Sequence, residues 1–151
     1  MGQCKYCGKK GFFLSVDKDG LCKGCAPALA VQVQQSARVI KESNDIINRS
    51  KKIATRISRC DTILDHVERL IELEQKGIPT LNISPSELRQ TFTDERNRIL
   101  FEGTKDEVEK LLTKAELATS TKTSINNANN ALLKVLEAKK EISTPYKLDD
   151  L

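Results

Sequence analysis

The chain has no tryptophan, one histidine and one methionine, and aromatic residues make up only 4% of it. With 38% hydrophobic residues in 151, this is thin material for a compact core and argues against a sandwich or barrel. No run of about 18 apolar residues occurs, so neither a transmembrane span nor a membrane partner is expected. The first residues lack an apolar signal segment, because Cys4 and Cys7 open the patterned part almost at once. The expected localisation is therefore cytoplasmic, where thiols stay reduced. Glycine and proline are scarce, at 7 and 4 residues, and neither occurs between Leu29 and Lys76. Catalytic signatures are missing as well. There is no G-x-x-x-x-G-K-[ST], no G-x-G-x-x-G and no carboxylate pair set in apolar sequence. The only thiol outside the N-terminal cysteine group is Cys60, which belongs to a packing row. The expectation is a protein that is not an enzyme.

Charge and cysteine are plentiful by comparison. Charged residues reach 30%, which suits exposed helices, and the net charge of +4 permits an anionic partner without demanding one. Four of the five cysteines lie between Cys4 and Cys25, as the pairs "CKYC" and "CKGC". A reducing compartment argues against disulfides, and no βαβ pattern surrounds either pair to support a thioredoxin-like redox role. The spacing argues for Zn²⁺, which takes four soft donors at tetrahedral corners. Gly8 fits a knuckle turn of positive φ. "FFLSV" reads as a short strand, "DKDG" as a turn and "LC" as a return strand, with a helix starting near the second pair.

The order "CKYCG", then "DGLCKGC", then a helix resembles the treble-clef zinc fingers, the group that includes GATA-type fingers and half of a LIM domain. The resemblance covers residues 3–35 only, and no family is recognised for the helical remainder. It implies Cys4, Cys7, Cys22 and Cys25 as the metal ligands. An all-cysteine shell leaves no open coordination position, so the zinc is expected to be structural. GATA-type fingers read DNA with the helix after the last knuckle and a basic tail. Here that helix, "APALAVQVQQSARVI", carries a single arginine, Arg38, which departs from the pattern.

The rest of the chain reads as long helices. Val39, Ile46, Ile53, Cys60 and Val67 recur every seven residues, and Ile57, Leu64 and Ile71 form a second row. Alternating steps of four and three mark a coiled-coil-like seam. One helix over 29–76 would run some 70 Å at about 1.5 Å per residue. Val33, Ile40 and Ile47 widen its stripe and would need cover, from a neighbour or from a second copy in a homodimer. Gly77 ends this helix, and Ser84-Pro85-Ser86-Glu87 starts the next with a capping box. Gly103 is read as an interruption, followed by a last helix with a seam through Val108, Leu111, Ala115, Ala118, Ile125, Leu132 and Leu136. The expected architecture is mainly α. A treble-clef-like Cys4 finger over 1–30 precedes an antiparallel helical hairpin over 31–142, with helices about 29–76, 85–102 and 105–142, and 143–151 forms an irregular tail.

Three features remain. Arg49, Lys52, Arg56 and Arg59 fall at helical spacing and read as a basic stripe, either a contact for nucleic acid or an acidic partner, or a solvated flank. Cys60 lies in the seam and reads as a buried thiol. His66 lies off the seam and reads as exposed. Two functions are compatible with all this. The first is a protein-interaction or scaffolding module that meets a protein partner or a second copy through its helices. The second is a nucleic-acid-binding regulator using Lys9, Lys10, Lys18 and Lys23 of the finger, with or without the stripe.

Overall fold

The computed structural model describes residues 2–143; residues 144–151 of the expected tail lie outside the described residues. A two-stranded antiparallel sheet pairs β1 (Gly2–Gln3) with β2 (Lys10–Gly11). Four helices follow: α1 (Cys25–Arg49), α2 (Ile53–Gln75), α3 (Pro85–Glu116) and α4 (Thr121–Ser143). The chain is mainly helical, as its sequence indicates. Among the described residues each helix packs on the next in sequence and on no other, so the helices form an open up-and-down series rather than a closed bundle.

The single helix expected over 29–76 is two helices folded back on each other. Ser50 adopts an extended conformation at the end of α1, and its hydroxyl accepts the Lys52 N–H at 3.2 Å. Such local side-chain bonds let serine leave a helix without glycine or proline. Arg49 in the last turn of α1 also faces the negative end of that helix's dipole. The larger gain comes from burial: folding back covers the stripes of both helices, which a straight rod would expose.

In α2 the expected seam holds, with Cys60, Leu64, Val67 and Ile71 all buried. Ile63 and Leu70 are buried too, because α2 lies between α1 and α3 and must be apolar toward both. In α1 the buried positions are Leu29, Ser36, Ile40, Ser43 and Ile47, with Val33 packed against them. These again step by four and three, so α2 supplies the cover that Val33, Ile40 and Ile47 needed, and Val39 and Ile46 are only half-buried. Serine at two of these six positions hid this row from a hydrophobicity reading. The Ser36 hydroxyl lies 3.1 Å from His66 Nδ1 on α2. His66 is thus a half-buried interhelical contact rather than an exposed side chain.

That contact carries a pH prediction. Burial first, then the neighbouring Arg69, pulls the His66 pKa below its ordinary value, with Asp65 opposing. The unfolded chain therefore binds more protons than the folded one below pH about 6.5, and stability falls as pH drops through that value. His66→Gln removes the group that titrates, and the stability–pH curve should flatten just below pH about 6.5. Urea titrations at pH 5.5 and 7.5 read the difference; parallel curves for the two proteins would refute the assignment.

Helix α2 ends in a Schellman motif. The N–H of Gly77, at φ 68°, donates to the Glu74 carbonyl at 2.8 Å, and that of Ile78 donates to Leu73 at 3.0 Å. The left-handed conformation is what glycine supplies here without steric cost. Helix α3 starts at Pro85 as expected, but Ser84 makes no side-chain capping bond. Interhelical ion pairs then align α3 with α2: Arg96–Asp61 at 2.7 Å, Arg56–Glu95 at 3.4 Å and Arg89–Glu68 at 3.7 Å.

Helix α3 also runs straight through Gly103, which is no breaker. A Cβ there would lie 2.5 Å from Ile53 Cδ1 and 3.1 Å from its Cγ2, so the glycine admits the first residue of α2. Gly103→Ala should gain about 1 kcal/mol in helix propensity and lose about 1–3 kcal/mol to overpacking, for a net loss. Adding Ile53→Ala should shrink the Gly103→Ala penalty, a coupling that a double-mutant cycle in urea detects.

The break between the last helices comes instead at Leu117–Ser120, outside α3 and α4. Expected seam residues of α4 turn outward: Ile125, Leu132 and Leu136 are exposed, and Ala131 and Ala138 are the buried ones. The physical reason is fit. Alanines let α4 approach α3 closely, and the ion pair Lys134–Glu107 at 3.5 Å fixes the same rotation.

Candidate metal centre

The sulfurs of Cys4, Cys7, Cys22 and Cys25 all lie within 4.8 Å of one another. The Cys7 and Cys22 sulfurs are 3.9 Å apart. Four thiolates bonded at about 2.3 Å to one tetrahedral ion would sit about 3.8 Å apart, so the donor set fits a metal ion. Four cysteines cluster this way because each knuckle is a tight turn. The Gly8 N–H donates to the Cys4 carbonyl at 2.9 Å with φ 71°, and the Cys25 N–H donates to the Cys22 carbonyl at 2.9 Å.

Backbone N–H groups supply the electrostatics. Those of Cys7, Cys22 and Tyr6 point at the Cys4 sulfur and lower its pKa to about 6, against the opposing cost of burial. The Cys22 N–H reaches that sulfur at 3.4 Å. The Cys22 thiol is lowered by the N–H of Cys25, then by the Cys25 thiol and the Gly24 N–H. Cys25 is pushed the other way, to about 12, first by its hydrogen bond to Cys22. The surroundings thus favour the thiolate at Cys4 and Cys22 and disfavour it at the neighbouring Cys25. A bound dication removes that conflict by neutralising the accumulated charge.

Secondary structure around the site is sparser than the sequence suggests. "FFLSV" is not a strand; only the single bridge Val16–Cys22 remains of that hairpin. The turn itself is held by Asp17, whose carboxylate accepts the N–H groups of Asp19 at 3.0 Å and Leu21 at 2.9 Å. Phe12 and Phe13 project into solvent at 84% and 103% exposure. The second pair does sit at a helix start, with Cys25 the first residue of α1.

The finger is seated on the helices by contacts that no motif announces. Cys4, Leu21, Cys22 and Leu29 form a small second core with Leu73 and Ile78, at the end of α2. Lys5 Nζ donates to the Gly77 carbonyl at 3.4 Å, and Lys76 Nζ lies 5.2 Å over the Tyr6 ring. The only sequence signal is weak: Leu73 falls outside the rows of the α2 seam.

The basic residues come from separate segments of the fold. Lys9, Lys10, Lys18 and Lys23 are all exposed, but spread over both knuckles and the turn between them. The stripe of Arg49, Lys52, Arg56 and Arg59 presumed one helix. The break puts Arg49 on α1, Lys52 in the connection and Arg56 and Arg59 on α2, and Arg56 is engaged by Glu95. Cys60 is fully buried. Burial, followed by Glu95 and Asp61, raises its pKa to about 11, so it is an inert core thiol. Among the described residues no helix is long and apolar enough to cross a membrane. No protein-family model, curated protein sequence or solved structure matches the chain.

Proposed function

We propose that the chain is a non-enzymatic zinc-binding interaction module, with a treble-clef-type finger held at the end of a helical series and offered to a protein partner. The ion is Zn²⁺ because four clustered sulfur donors suit it, and filling all four of its tetrahedral positions leaves it a structural role. The observation that carries the interaction reading is the exposure of Phe12 and Phe13 on the finger. Two adjacent phenylalanines in water are costly, and aromatic side chains are the residues most enriched as interface anchors.

The test has two arms. Metal analysis of purified protein should return one zinc per chain. Zinc-loaded protein immobilised beside a Phe12→Ser/Phe13→Ser variant should retain a discrete host protein that the variant loses, with helix content unchanged. Equal retention by both would reject the finger as the contact. The nucleic-acid reading keeps one supporting feature, the four exposed lysines of the finger. Micromolar binding to random single-stranded or duplex DNA with a steep inverse salt slope would put that reading first.

A further inference from the structure

Among the described residues helix α4 packs only on α3, and does so through its alanines. The outcome is an apolar face left open across both helices. Phe101 and Leu112 of α3, with Ile125, Leu132, Val135 and Leu136 of α4, are each 44 to 62% exposed. At this exposure they leave apolar area on the order of 600 Å² in water, at the upper end of the roughly 300–600 Å² usual for the largest patch on a monomer. Between the two helices the face dips into a groove of about 560 Å³, lined by Phe101, Val108 and Val135 among others. We propose that the occupant of this face is a second copy of the chain, the two α3–α4 pairs closing a four-helix core about a two-fold axis parallel to the helices.

Area and charge both select this partner. A standard interface takes about 800 Å² from each side, and the open face with its polar rim approaches that figure. On the outer edge of α3, Glu102 pairs with Arg98 at 2.7 Å and Glu109 with Lys105 at 4.0 Å, and helical periodicity puts Glu116 on that edge and Lys122 on the outer edge of α4. A two-fold axis along the helices sets α3 of one copy against α4 of the other, so Glu116 faces Lys122 of the other copy twice. The register agrees: Lys134–Glu107 and Arg96–Glu141 bring the end of α3 level with the start of α4, hence Glu116 level with the other copy's Lys122. An isologous contact requires such self-complementarity, whereas a patch of one sign would select a different molecule.

The proposal extends the interaction reading to a different surface, so either can fail alone. Sedimentation of the zinc-loaded full chain under reducing conditions should give a dimer at micromolar concentration. Leu132→Glu/Val135→Glu, at exposed positions, should give a folded monomer by circular dichroism. Glu116→Lys should weaken the dimer about tenfold, and adding Lys122→Glu should restore it. A wild-type chain still monomeric at 200 µM overturns the proposal. So does a dimer indifferent to Leu132→Glu/Val135→Glu, or a monomer that uses this face to hold lipid vesicles or another protein. The Phe12→Ser/Phe13→Ser variant should dimerise normally, which separates the two surfaces; if it sediments as a monomer, the proposed face is wrong.

Discussion

Stripping the metal with a strong chelator, or replacing Cys4 by serine, will unfold the finger and loosen the helix end it sits on. In isolated zinc-finger peptides the apparent binding free energy, about 10–16 kcal/mol, is spent as folding free energy. Here Cys4 and Cys22 are core residues as well as ligand candidates, packed with Leu21, Leu29, Leu73 and Ile78. Losing the ion therefore leaves four crowded sulfurs, with the ionisation-prone Cys4 and Cys22 set against a small apolar cluster and no cation to neutralise them. The expected result is loss of bound metal, a lower thermal midpoint, and new protease cleavage between residues 2 and 24, with α2 and α3 still helical. Cys60→Ser, by contrast, should leave metal content unchanged, since that thiol is not one of the clustered four and lies in the helical core. Material that keeps its melting curve after complete metal removal would refute a structural role for the ion.

Leu64→Ala should cost about 2–5 kcal/mol, because the side chain is fully buried where α2 meets its neighbours and the cavity left behind cannot collapse from two sides at once. For a chain of this length that lowers the thermal midpoint by about 10 °C. Val31→Ala is the matched control. Val31 is exposed on α1, and its loss should stay within about 0.5 kcal/mol. A Leu64→Ala protein as stable as that control would mean α2 is not the middle layer.

The legible parts of the sequence were those where chemistry or packing is written locally. Two CxxC pairs name a soft-metal site whatever surrounds them, and the strict steps from Ile53 to Ile71 name a buried face. The α1 face escaped because Ser36 and Ser43 occupy two of its six seam positions. A short polar side chain can be buried there, one of them bonded to His66, yet a hydropathy pattern counts it as outside. The break at Ser50 escaped because the gain that drives it, stripe against stripe, is tertiary. Gly103 shows the opposite error: a residue expected to stop a helix instead makes room for Ile53. In α4 the eye follows the large leucines, whereas the contact with α3 is made by Ala131 and Ala138. Size alone does not say which face of a helix is turned inward.

The grip of the first knuckle on Gly77, with Lys76 over Tyr6, has a mechanical side. Helices α1 and α2 are already tied at one end by their three-residue link, and the finger fastens the opposite end like a clasp. Neither terminus of that helix pair is free to fray while the clasp is shut. Amide exchange in the final turns of α2 should then follow metal occupancy, although no ligand sulfur comes from that helix.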